Sequence, residues 1–159
     1  MVNIVDLSRR RGAIVHLLPQ VYELMKKNYA ELPHIIFWKK EMDKKIIDIN
    51  RRWVFALEGT KIVKGLLFYN ISRDRKTVYV DSLIAAGIVF NELLIKFEYD
   101  DAVKSAEAFY ISRDIKNEAN TEMLKNVGLQ DESVFNDEGY QLIGGLTDVL
   151  QVLKIRYAV

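Results

Sequence analysis

Cysteine is absent from this chain of 159 residues. That excludes disulfides, thiolate metal sites and cysteine nucleophiles, and a reducing cytoplasm suits the protein. Histidine is scarce: His16 and His34 stand well apart, so a histidine-rich metal site is excluded and only carboxylates remain for a hard ion. Proline occurs twice, at Pro19 and Pro33, which leaves no proline-rich linker. No apolar run approaches the ~20 residues of a membrane span. Met1 to Asp6 has no basic segment followed by an apolar one, so no secretory signal is predicted and the expected location is cytoplasmic. An excess of one charge is also missing, with Lys+Arg 23 against Asp+Glu 22. Domains that coat themselves with nucleic acid usually carry a clear basic excess, so no nucleic-acid partner is expected. Arg9-Arg10-Arg11 reads as a solvated turn.

Hydrophobic residues make up 50% of the chain, enough for a core and too many for disorder. There is no internal repeat or low-complexity tract, and residues 1–159 are expected to form one domain. Val2 to Leu7 suits a short opening strand. Ile14, Leu17, Leu18, Val21, Leu24 and Met25 recur at helical spacing, with Pro19 either kinking that helix or starting it. Trp38, Met42, Ile46 and Ile49 mark a second helix, with Lys39, Lys40, Asp43 and Lys44 on its wet side.

From Trp53 the period changes. Trp53–Leu57, Ile62–Tyr69 (with Gly65 inside it) and Thr77–Ala85 are rich in strand formers and separated by short polar turns, an antiparallel meander. Phe90, Leu93, Leu94 and Phe97 predict a helix from about Gly87 to Ser105. Ala108–Ile111 reads as a strand, and Asn117–Asn126 as a helix whose stripe includes Met123 and Val127, closed by Gly128. Tyr140–Ile143 and Val149–Tyr157 read as closing strands, the last with Gln151, Leu153, Ile155 and Tyr157 alternating with Val152, Lys154 and Arg156. The expectation is an α/β fold: a mixed, mostly antiparallel central sheet with helices on both faces.

This order of elements resembles the GCN5-related N-acetyltransferase (GNAT) family, whose fold is the acyl-CoA N-acyltransferase fold. Asn117-Glu118-Ala119 followed by Gly128-Leu129 lies in register with the family's pattern N-E-A-A-x-x-x-Y-x-x-x-G-F. Val80-Asp81-Ser82-Leu83-Ile84 looks like its fourth strand, and Gly87-Ile88-Val89-Phe90 like the start of its third helix. The family joins these through a loop of the form Q/R-x-x-G-x-G/A. Here Gly87 matches the first glycine, Ile84 replaces Arg or Gln, Val89 replaces the second small residue, and the loop is shorter. Leu124 stands where many members carry the Tyr that protonates the departing thiolate. Tyr99, Tyr110 and Tyr140 are the alternatives for that role.

The resemblance implies transfer of an acetyl group from acetyl-CoA to an amine, with a small molecule or a peptide as acceptor and a monomer or homodimer as the working form. Leu83, Ile84 and Ala85 would offer their backbone to the pantetheine and thioester. Gly87, Ile88 and Val89 would receive the pyrophosphate at a helix N-terminus. Asn117 would hold the CoA arm or simply cap its own helix. Asp81 is the nearest carboxylate to act as base, or else it pairs with a basic side chain on a neighbouring strand. Alternation along the strand would put Tyr79 and Leu83 on its face. His34, beside Pro33 and Phe37-Trp38, lies where the family's acceptor pocket is lined, though packing is the commoner role for such a residue. His16, between Val15 and Leu17, reads as structural. The alternative function is a GNAT-like module that senses a ligand or binds a protein without catalysis. A sensor domain of PAS or profilin type is a third reading, which would lack a splayed parallel strand pair.

Overall fold

The computed structural model describes residues 1–28, 32–112 and 140–156. Among the described residues one sheet of six strands forms the body: β1 (Val2–Asp6), β2 (Arg51–Glu58), β3 (Ile62–Ile71), β4 (Thr77–Ile84), β5 (Ala108–Ser112) and β6 (Tyr140–Gly144), lying side by side in sequence order. Every neighbouring pair is antiparallel except β4 and β5, which run parallel. The mostly antiparallel mixed sheet expected from the sequence is therefore present.

Helices cover both faces. On one face lie α1 (Arg11–Asn28) and α2 (Ile35–Ile46), packed on Trp53, Phe55, Leu66 and Phe68. The other face carries α3 (Ile88–Glu98), α4 (Asp101–Ser105) and α5 (Leu146–Arg156), packed on Val54, Leu67, Val80 and Phe109. Alternation along the strands feeds the two cores: Trp53 and Phe55 point one way, Val54 and Ala56 the other.

Helix α1 buries Ile14, Leu17, Leu18, Val21 and Met25, the stripe read from the sequence. It runs through Pro19, which sits exposed on the outer side. Gln20 ties the helix to the sheet: its amide oxygen accepts from Val63 N–H at 2.9 Å and its amide nitrogen donates to the Lys61 carbonyl. In α2, Trp38, Met42 and Ile46 are buried as expected, while Ile49 lies beyond the helix and is exposed. His34 is the N-cap of α2, its Nδ1 accepting from Ile36 N–H at 3.3 Å. His16 lies exposed on α1 and takes no part in the core.

Two expectations are corrected. The helix predicted from Gly87 to Ser105 is broken at Asp100, whose carboxylate accepts from Ala102 N–H at 2.9 Å and starts α4 afresh. The segment Val149–Tyr157, expected as a strand, is helical from Leu146 to Arg156. Its buried residues Val149, Leu150, Val152 and Leu153 recur at i, i+1, i+3 and i+4, a helical stripe that β-branched content disguises. Asp148 also fixes the start, accepting from Gly145 N–H at 3.0 Å from the third helical position, one half of a capping box. The predicted helix Asn117–Asn126 and Gly128 fall outside the described residues, as do Leu124 and Asn117 themselves.

Candidate functional site

The parallel pair at the centre of the sheet forks. β4 and β5 are in register from Thr77↔Ala108 to Val80↔Ile111, and pairing then stops while β4 continues to Ile84. Along Asp81 to Ile84, β4 keeps β3 on one side and has no strand partner on the other among the described residues. Backbone N–H and C=O groups on such an edge need a partner.

A bulge sits at the fork. Tyr69 pairs with Val80 and Phe68 with Ser82, so Asp81 is an extra residue in β4. Bulges re-aim side chains and are frequent beside active sites. Here the alternation is reset: Leu83 joins Val78 and Val80 in the α3-side core, while the Asp81 side chain lies on the α1/α2 face. The expectation that Leu83 shares a face with Asp81 is corrected by this extra residue. Tyr79 remains on the Asp81 side, stacked on Tyr110 at 5.1 Å between ring centroids and edge-on to Tyr140 at 5.2 Å.

Asp81 is held by partners on two other strands. One carboxylate oxygen pairs with the guanidinium of Arg51 on β2, and the other accepts from the Tyr140 hydroxyl on β6. Arg51 is only 2% exposed and Asp81 11%. The guanidinium lies 4.6 Å from the Trp53 ring and 5.6 Å from the Phe68 ring, so aromatic faces supplement the ion pair. Arg51 reaches across from the far side of β3, and sequence reasoning missed it. Each oxygen of a carboxylate has two lone pairs, so Asp81 keeps acceptor capacity toward a ligand.

Of the three tyrosines read as alternatives to the absent acid, Tyr110 and Tyr140 flank the fork. Tyr99 lies at the far end of α3, exposed. Beside Tyr79, on the α1/α2 face, a cleft of about 310 Å³ is lined by Asp48, Asn50, Asn70, Ser72 and Arg73. Next to Tyr99, at that same end of α3, Asp100 accepts from the Tyr69 hydroxyl at 2.5 Å, pairs with Arg52 and caps α4. Burial, and then the hydrogen bond to Asp100, push the Tyr69 phenol well above its ordinary range, so it remains a donor. That cluster is structural.

Past the open edge of β4, Ala86, Gly87 and Ile88 form an exposed turn into α3. Gly87 is the N-cap and has no side chain to close the helix, whose first N–H groups lack intrahelical partners. Its backbone sits at φ 59°, ψ −135°, a conformation essentially reserved for glycine. A Cβ at Gly87 would meet nothing within 4 Å, so the requirement is conformational rather than steric. Gly87→Ala is therefore expected to cost about 1–3 kcal/mol, read as a lower urea midpoint with unchanged slope. An unchanged midpoint would contradict the backbone geometry. Leu83 and Ile84 are buried and Ala85 is half-buried, at the end of β4 beyond its pairing with β5. Among the described residues no group of three or more His, Asp or Glu can hold a metal, and no helix is long and apolar enough to cross a membrane.

The sequence matches no protein-family model and no curated protein sequence. Its fold does match solved structures. The spermidine/spermine N-acetyltransferase SpeG of Vibrio cholerae superposes with a TM-score of 0.55 at 15% identity, over 95% of this chain and 98% of that one. GCN5 of Tetrahymena gives 0.51 at 16% identity over 93% and 99%. An aminoglycoside acetyltransferase from an uncultured soil metagenomic sample gives 0.52 at 12% identity over 79% and 84%. The forked parallel pair, the bulge and these matches agree: the chain has the acyl-CoA N-acyltransferase fold of the GNAT family.

Proposed function

We propose that the protein transfers an acyl group, acetyl foremost, from acyl-CoA to an amine by direct attack in a ternary complex. The observation that carries this reading is the edge of β4 between the fork and the start of α3, which has no strand partner among the described residues. An extended pantetheine arm carries amide groups that suit such an edge, much as an added strand would. In this reading the backbone of Leu83, Ile84 and Ala85 binds the arm and polarises the thioester carbonyl, where negative charge develops. The N–H groups of Gly87, Ile88 and Val89 receive the pyrophosphate at the positive end of α3. Asn117, by resemblance, would also hold the CoA arm.

The amine arrives from the α1/α2 face, where Asp81, Tyr79 and Tyr140 meet. The cleft beside Tyr79, of about 310 Å³, suits a small molecule or the tip of a peptide. Asp81 takes the proton of the attacking amine through a bridging water, because both its oxygens already hold side-chain partners. Attack forms the amide C–N bond and breaks the C–S bond, and the electron pair leaves on the thiolate. With a thiol pKa near ~8.5, that group departs near neutral pH without an obligatory acid. Two of the matched structures are named for amine acceptors, spermidine/spermine and aminoglycosides, which supports the acceptor class and not its identity.

The test is release of free thiol from acetyl-CoA, followed colorimetrically across a panel of polyamines, amino sugars, amino acids and lysine peptides. The expected result is release that requires both protein and one class of amine. Folded protein that releases no thiol with any of them would overturn the transferase reading.

A further inference from the structure

Gly65 lies inside β3, where glycine weakens a strand and usually marks the close approach of another segment. Its φ is not in the left-handed region, which among the described glycines holds only Gly59, Gly87 and Gly144. Backbone conformation therefore does not require a glycine here; space does. A Cβ at Gly65 would lie 2.9 Å from the Ile84 carbonyl oxygen, 3.1 Å from Val89 Cγ1 and 3.2 Å from Ala85 Cβ. The three neighbours belong to the end of β4, the loop after it and the first turn of α3. The first is backbone, which no rotamer change can relieve. Val89 is the β-branched residue that stands where the family's loop has a small one. Its side chain turns toward the sheet, over Gly65 and against the α3-side core, while Ala86, Gly87 and Ile88 face outward.

We infer that Gly65 is a positioning residue for the Ala85–Val89 loop, its missing side chain forming the socket for Val89 and so setting where the loop's N–H groups meet an anionic ligand. The inference rests on the acyl-CoA reading above. It explains how a bulky residue occupies this loop: the methyl groups are taken up by a gap in the neighbouring strand, and the outward side of the loop stays small. Close-packed interiors transmit a misfit of a few tenths of an ångström, so filling the socket moves the loop.

The experiment compares acetyl-CoA with S-acetylpantetheine, which has the thioester arm and no pyrophosphate, by calorimetric titration of wild type, Gly65→Ala, Val89→Ala and the double variant. Gly65→Ala is expected to raise the Kd for acetyl-CoA about tenfold or more and to leave S-acetylpantetheine within about twofold. Val89→Ala in the Gly65→Ala background is expected to restore part of the lost affinity, because it relieves the contact with Val89 and leaves the one with the Ile84 carbonyl. A merely structural glycine would weaken both ligands alike, or neither. If Gly65→Ala does not fold, Val89→Leu fills the same socket from the other side and is expected to show the same selective loss. Wild type that binds acetyl-CoA, with both ligands changing equally or not at all in the variant, overturns the role of Gly65 alone. Wild type that does not bind acetyl-CoA overturns the acyl-CoA reading, and this inference with it.

Discussion

Replacement of Asp81 by alanine is expected to destabilise the fold by about 3–5 kcal/mol, the usual cost of stranding one member of a buried ion pair. The stranded member is Arg51, 2% exposed, whose single ion-pair partner among the described residues is Asp81. Its Nε is already buried without a hydrogen-bond partner among those residues. Trp53 and Phe68 faces soften the loss and do not remove it. At roughly 2–4 °C per kcal/mol for a chain of this size, the melting temperature is expected to fall by about 6–20 °C. The double variant Arg51→Met/Asp81→Leu is expected to recover most of that loss, because apolar groups of similar volume can replace a buried pair at little cost. A loss below about 1 kcal/mol for Asp81→Ala would contradict the buried pair. The consequence for enzymology is direct: a drop in activity at Asp81 has to be read against stability before it names a base. Tyr140→Phe offers a milder probe, since it removes one hydrogen bond to Asp81 and keeps the ring against Tyr79.

Phe97→Ala is expected to cost about 3–5 kcal/mol, the range for a buried aromatic truncated in a packed core. Phe97 is fully buried in the last turn of α3, edge-on to Tyr69 at 4.9 Å and to Phe109 at 6.2 Å between centroids. It thus clamps the far end of the helix to β3 and β5, the strands on either side of β4. Chemical denaturation measures the loss directly. Because α3 is the helix whose other end meets the proposed pyrophosphate, acetyl-CoA affinity is expected to fall as well. A variant with wild-type stability would mean that α3 is not seated through this ring.

The meander and the two flanking helices before it were legible because their signals are local. Trp53–Leu57, Ile62–Tyr69 and Thr77–Ala85 are short runs of strand formers between polar turns, and the α1 stripe repeats at helical spacing. The loop glycine was legible too, since Gly87 is followed directly by a helical stripe. The last helix was misread because Val149, Val152 and Ile155 are β-branched and their polar neighbours mimic a period of two. The better signal was Gly145 with Asp148 three residues on, ahead of a stripe at i, i+3 and i+4. The heart of the site was not legible. Nothing near Asp81 in sequence marks a bulge, and its partners lie 30 and 59 residues away on β2 and β6. Gly65 gave no hint of its socket, because the atoms that fill it come from the loop after β4. Pairings of that kind are set by register and curvature of the sheet, which a one-dimensional pattern does not carry.

The measurement that tests the central claim most directly is a calorimetric titration of the purified, folded protein with acetyl-CoA. A forked β4 edge leading to an uncapped α3 predicts saturable one-to-one binding, with affinity lost when the pyrophosphate is removed from the ligand and when Gly87 is replaced by Trp. No heat of binding up to millimolar acetyl-CoA would contradict it, and the cleft between β4 and β5 would then have to serve a different ligand or a protein partner.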